Sequence, residues 1–262
     1  MKVCHLLVCL LCLISFGPAN ADTIISDDFT SSTVSTTTDG FRLRERSIDQ
    51  GWQAARQGGG SAWTIASGNL ENSSTVTGGG YPAYIPGEAP VAQTVDVGNL
   101  NITEGHNLVT LTFNYDVSDG DSLYVSLWGH TGTYDNTSGN IFANLETQHG
   151  LGNVEGSSTL DAFNLNDGAT SGFGGSAGLF GEISGAASGT FSRTVDISLF
   201  AIPGVSDVND LTAITLGFAK DEDGNPGTTS ISNLELFTAV PEPSSAAFIG
   251  IAIVCFAFRR RR

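Results

Sequence analysis

Apolar and polar residues alternate through much of the chain between residues 22 and 239. The alternation is clearest in Leu108–Val117, where Val109, Leu111, Phe113, Tyr115 and Val117 are apolar and Thr110, Thr112, Asn114 and Asp116 are polar. A period of two puts the two sets on opposite faces of a half-buried strand. The turn Ser118-Asp119-Gly120-Asp121 follows, and Leu123, Val125 and Leu127 resume the pattern, so residues 107–129 predict a hairpin. The same spacing returns at Phe191, Val195, Ile197 and Leu199, at Ile214, Leu216 and Phe218, and at Ile231, Leu234 and Leu236, with Gly, Pro, Asn or Asp between the runs. Gly168–Gly189 is rich in Gly, Ala and Ser and reads as a loop, with at most a weak strand at Gly178–Ile183. No stretch of this body carries a sustained helical period with caps. The expected fold is therefore all-β, a single antiparallel β-sandwich over residues 22–239.

Both ends depart from that pattern. Lys2 precedes an apolar run from Val3 to Phe16, Gly17-Pro18 breaks it, and Ala19-Asn20-Ala21 supplies the small-x-small sequence of a cleavage site. This is the form of a signal helix for the Sec translocon, removed by signal peptidase after Ala21. The run is about 14 residues, short of the roughly 20 needed to span a bilayer. At the other end Val240-Pro241-Glu242-Pro243-Ser244-Ser245 leads into uncharged Ala246–Phe258 and then Arg259, Arg260, Arg261 and Arg262. A helix over that apolar run would be about 20 Å long, a single short transmembrane helix that snorkelling arginines and local thinning can accommodate. The four arginines favour the cytoplasmic side, which leaves the body outside. Export signal and tail thus predict one topology, with segments 1–21, 22–239 and 240–262.

Pro241-Glu242-Pro243, a short apolar helix and a terminal arginine cluster resemble the PEP-CTERM sorting signal of bacterial surface and biofilm proteins. The resemblance implies that a membrane-embedded exosortase recognises the tripeptide, removes the helix, and releases or transfers the body to the envelope or the exopolysaccharide matrix. The body itself, through Asp27-Asp28-Phe29, Gly51-Trp52, Ala62-Trp63-Thr64-Ile65 and Ser67-Gly68-Asn69-Leu70, is similar to concanavalin A-like jelly-roll domains. In such sandwiches the first and last strands commonly pair, which would set Ile24–Phe29 beside Ile231–Phe237 and place the tail just after the final strand.

Charge and cysteine content sharpen this picture. Of the 27 acidic residues in the 262-residue chain only Glu242 lies outside residues 22–239, and of the 11 basic residues only six lie inside, so the body carries −20. Such a surface excludes an electrostatic nucleic-acid footprint. Cys4, Cys9, Cys12 and Cys255 all fall in the terminal segments. An exported body without cysteine must be held by core burial, helped where possible by bound ions.

Candidate chemistry is sparse. No Glu-x-Asp-x-x-Glu string sets two carboxylates on one strand as a jelly-roll glucanase requires. His106, His130 and His149 show no paired-ligand spacing, and no Gly-x-Ser-x-Gly turn stands between a strand and a helix. Glu146 near His149, or Glu155, are the residues a glycan-active enzyme would have to use. No cofactor is required by any of this, but a structural calcium ion has two candidate turns: Asp116, Asp119 and Asp121, and Asp221, Asp223 and Asn225. A lectin-like module would present exposed rings, for which Trp52, Tyr81, Tyr84, Trp128 and Tyr134 are candidates; Tyr81 and Tyr84 lie in a Gly-rich loop and Trp128 continues the polar side of its strand. Trp63 is expected in the core. The basic cluster Arg42-Leu43-Arg44-Glu45-Arg46 could meet an acidic polysaccharide. The expectation is a non-catalytic surface or matrix protein, with a carbohydrate-binding module as the alternative and a glycan-active enzyme after it.

Overall fold

The computed structural model describes residues 21–36, 51–54, 56–57, 60–61, 63–73, 88–132, 161–165, 180–200, 202–222 and 227–239. They form fifteen strands. The first seven are short: β1 (Asp22–Asp27), β2 (Val34–Thr36), β3 (Trp52–Ala54), β4 (Arg56–Gln57), β5 (Gly60–Ser61), β6 (Trp63–Ala66) and β7 (Asn69–Asn72). The rest include the long ones: β8 (Glu88–Asp96), β9 (Leu108–Val117), β10 (Asp121–Thr131), β11 (Asp161–Asn164), β12 (Gly181–Ser184), β13 (Ala187–Asp196), β14 (Ala213–Glu222) and β15 (Thr229–Ala239).

Two sheets result. The first runs β13-β9-β15-β7-β6, with β1 also on β15; the second runs β11-β10-β14-β8-β3-β2, with β12 also on β10. All pairings within them are antiparallel except β2 with β3. The all-β sandwich expected from the two-residue period is the fold observed. First and last strands pair as anticipated, from Asp22 opposite Thr238 to Asp27 opposite Leu234.

The hairpin expected over residues 107–129 is not formed. Val117 ends β9 in the first sheet and Asp121 begins β10 in the second, so Ser118–Gly120 is an arch between layers, closed by the Asp121 N–H donating to Ser118 O. The apolar sets of both strands still face one core, which is why the pattern could not distinguish arch from hairpin. Into that core β9 sends Val109, Leu111 and Phe113, β10 sends Leu123, Val125 and Leu127, and β14 sends Ile214, Leu216 and Phe218. The Phe113 ring stacks on Phe191 at 4.9 Å and meets Phe218 edge-on at 5.4 Å, geometries that suit the ring quadrupoles. Gly181 is needed here, because a Cβ on it would lie 2.6 Å from the Phe191 ring.

Two details of phase follow from local backbone. In β15 the buried positions change from odd Ile231 to even Leu234 and Leu236, and the register shifts between Ser232 and Glu235 around Asn233 at φ 48°. An extra residue in left-handed conformation is how a strand bulge re-aims the side chains beyond it. In β13 the inward odd series ends at Ile197. The strand stops at Asp196, a 3-10 turn covers Ile197–Leu199, and Leu199 turns out to 79% exposure instead of continuing inward.

Candidate functional site

Three regions hold the polar groups that could act. The first is the outer face of the second sheet, facing away from the core. Register places Thr94, Thr215 and Trp128 in one row across β8, β14 and β10, with Ala92, Gly217 and Ser126 in the next. Thr94 Oγ1 and Thr215 Oγ1 lie 2.8 Å apart, and His130 Nε2 lies 2.8 Å from Thr215 Oγ1. Thr94 and Thr215 are buried, and His130 and Ser126 have no solvent exposure at all. Burial drives the His130 pKa from 6.5 down to about 3, so the imidazole is neutral at neutral pH. Among the described residues its Nδ1 has no hydrogen-bond partner, and no carboxylate orients the ring. Among the described residues this neutral imidazole serves as a hydrogen-bonding element to a threonine hydroxyl.

Trp128 belongs to this face, and the expectation of an exposed ring is corrected: it is 2% exposed. It does stand on the polar side of its strand, as the alternation indicated, but that side is itself buried along β10 from Ser126 to His130. Trp52 is corrected likewise. It is 1% exposed, points into the core against Phe29 and Phe218, and donates its indole N–H to Asp27 Oδ2 at 2.8 Å. Asp27 also accepts from the Phe29 N–H at 2.7 Å and the Ser32 hydroxyl, holding Phe29 at φ 57°. The Asp27-Asp28-Phe29 sequence is thus structural. Trp63 is fully buried, as expected. Tyr81, Tyr84, Tyr134, Arg42–Arg46, Glu146, His149 and Glu155 lie outside the described residues.

The second region is the arch between the sheets. The calcium reading of Asp116, Asp119 and Asp121 is corrected, because the fold does not gather them. Asp116 is exposed on the outer face of the first sheet and Asp119 is exposed in the turn, while Asp121 is buried. The cation Asp121 holds is the Lys220 ammonium, 3.2 Å from its Oδ2, which also donates to Gly227 O at 2.6 Å. Among the described residues no three His, Cys, Asp or Glu side chains are placed to hold a metal. Asp221 is described only as backbone of β14, and Asp223 and Asn225 lie outside the described residues.

The third region is the end of the sandwich where β1 begins and β15 finishes. Asp22 Oδ2 accepts from the Thr103 N–H at 2.6 Å and lies 3.0 Å from His106 Nδ1. The Thr103 hydrogen bonds, then His106, hold the Asp22 carboxyl below the ordinary range. His106 O accepts from the Val208 N–H and from the Thr238 hydroxyl, so one loop clasps the first strand, the last strand and the β13–β14 connection. Ala21 is exposed beside it; Ala19, the Pro241-Glu242-Pro243 tripeptide and Arg259–Arg262 lie outside the described residues. Among the described residues no helix is long and apolar enough to cross a membrane.

Residues 239–262 match the PEP-CTERM protein-sorting motif. The motif implies export and sorting to the cell envelope, and it starts on the last residue of β15. No curated protein matches the chain. Among solved structures it is similar to a proposed sugar-binding protein from Bacteroides thetaiotaomicron, at 13% identity and TM-score 0.39 over 82% of this chain and 99% of that one. It is also similar to the second N-terminal cellulose-binding domain of β-1,4-glucanase C from Cellulomonas fimi, at 14% identity and TM-score 0.35 over 84% and 99%. A third is the K3 adhesin domain of Lys-gingipain from Porphyromonas gingivalis, at 11% identity and TM-score 0.35 over 83% and 99%.

Sequence reasoning located the tail by its contiguous residues. It missed the His130–Thr215–Thr94 chain and the outward turn of Leu199. Their one-dimensional signal is slight: a histidine and two threonines on polar phases of separate strands, and Asp196 as the cap that stops β13.

Proposed function

We propose that this chain is an exported, exosortase-sorted protein of the cell surface or extracellular matrix, whose β-sandwich is a non-catalytic structural or adhesive module. The observation that carries the reading is the junction between fold and tail. The sorting motif begins at Ala239, the residue that ends β15, so the sandwich itself is the cargo. The amino-terminal segment acts as the export signal. The apolar run Ala246–Phe258 holds the tail in the membrane until an exosortase cuts near Pro243, and the body then passes to the envelope or exopolysaccharide. A non-catalytic body is supported by what its buried and half-buried polar groups do: His130 bonds a hydroxyl, Asp121 an ammonium and Asp27 an indole.

Mass spectrometry of the mature protein tests this. In a host with an exosortase the carboxyl terminus is expected near Pro243, and replacing Pro241-Glu242-Pro243 by alanines is expected to block processing while leaving membrane insertion intact. A wild-type chain still ending at Arg262 in that host would show the tail to be an anchor only.

Glycan binding is the second reading, favoured by the row of hydroxyl, imidazole and indole groups on the outer face of the second sheet. It ranks lower because Trp128 is buried there. Retention on immobilised exopolysaccharide that is lost in Thr215→Val would raise it to first place.

A further inference from the structure

We infer that the end of the sandwich from which the tail leaves is a docking surface for the membrane enzyme that processes the tail, with Leu199 at its contact point. The inference rests on the reading of the tail just given and adds that the folded body takes part in recognition.

Position is the first argument. Leu108 is the register partner of both Asp196 on β13 and Ala239 on β15, so these residues form one row across the first sheet. Two strand spacings, about 10 Å, separate the end of β13 from the point where the tail departs. The turn Ile197–Leu199 begins in that row, tied down by the Ile197 N–H to Asn107 O and by the Asn107 amide to Asp196 and Ser198. Only Val240–Ser245 separate Ala239 from the apolar run, a reach of at most about 20 Å. An enzyme that binds Pro241-Glu242-Pro243 must therefore sit against this end of the body.

Surface chemistry is the second. A lone exposed leucine is ordinary. This one, however, is the large apolar side chain left exposed among the described residues, and Phe200 and Ile202 beside it are only half-buried. The same end of the sandwich carries Asp22, Asp96, Glu104, Asp196, Asp207 and Asp210, and no Lys or Arg occurs in residues 94–108, 196–200, 202–213 or 235–239. Six carboxylates oppose close approach to anionic lipid. They suit a protein surface that offers an apolar socket bordered by cationic side chains, and the sorting motif starting at Ala239 makes the tail-processing enzyme the occupant we assign to this end.

The test follows tail removal by pulse-chase in full-length chains expressed with the exosortase. Leu199→Glu and Glu104→Lys are expected to slow processing roughly tenfold, the scale of losing one apolar or charged anchor. Both residues are exposed, so melting should be unchanged, and Asp119→Ala at the opposite end should process at the wild-type rate. A photo-crosslinker at position 199 should yield an adduct with the tagged exosortase. Equal rates for all four chains, or adducts with lipid alone, would overturn the docking surface while leaving the tail reading intact. A wild-type chain that is never processed would instead overturn the tail reading and this inference with it.

Discussion

His130 and Thr215, both buried, join through a 2.8 Å hydrogen bond although they lie 85 residues apart in sequence. The folded protein keeps this imidazole neutral down to about pH 3, whereas the unfolded chain protonates it near 6.5. A base whose folded pKa is depressed loses stability as pH falls below the unfolded value. The expected loss is about 2 kcal/mol between neutrality and pH 5, or several degrees in Tm. His130→Gln, which does not titrate, should flatten that slope; an unchanged slope would assign it to other groups.

The Lys220–Asp121 pair is buried on both sides, so its halves are worth less than their union. Lys220→Met should cost about 3–5 kcal/mol in urea denaturation, because it strands a buried carboxylate. Lys220→Met with Asp121→Leu should recover much of that loss. Simple addition of the two single effects would refute the coupling.

Asp27 serves three donors, two of them local and one 25 residues away: the Phe29 backbone, the Ser32 hydroxyl and the Trp52 indole. Asp27→Ala is expected to cost about 2–4 kcal/mol and to change the near-ultraviolet signature of Trp52. Asp27→Asn keeps one acceptor and should cost less. Equal losses for the two would mean that the carboxylate charge, not the bonding pattern, matters.

The turn joining β6 and β7 has Ser67 at φ 53° and Gly68 at φ 76°, the two positive values of a type I′ hairpin. Asn is preferred over Ser at the first position. Ser67→Asn should raise stability by about 0.5–1 kcal/mol, measurable as a higher Tm.

Much of the fold was readable because burial on one face imposes a period of two, and β9, β10 and β14 each show it over several residues. Which sheet a strand joins was not readable. Arch and hairpin both direct Phe113 and Val125 inward, and only the pairing of β9 with β13 and β15, and of β10 with β14, separates the two. The same limit hid the polar chain on the second sheet. Thr94 and Thr215 are 121 residues apart and meet only through register. Trp128 misled for a related reason: a polar phase locates a face of a sheet and does not say whether that face is covered. The tail was legible because its tripeptide, apolar run and arginines are adjacent in sequence.

The last of the described strands, β15, lies inside the first sheet, flanked by β9 on one side and by β7 and β1 on the other. A nascent chain interrupted before Thr229 would leave β9 paired with β13 alone and β1 with no partner among the described strands, and would also lack the sorting motif. Completeness and address are therefore written in the same stretch of polypeptide. Under the proposed sorting, a chain shortened in this way would have an open first sheet and no motif to be processed, so tail removal would select bodies whose two layers can close.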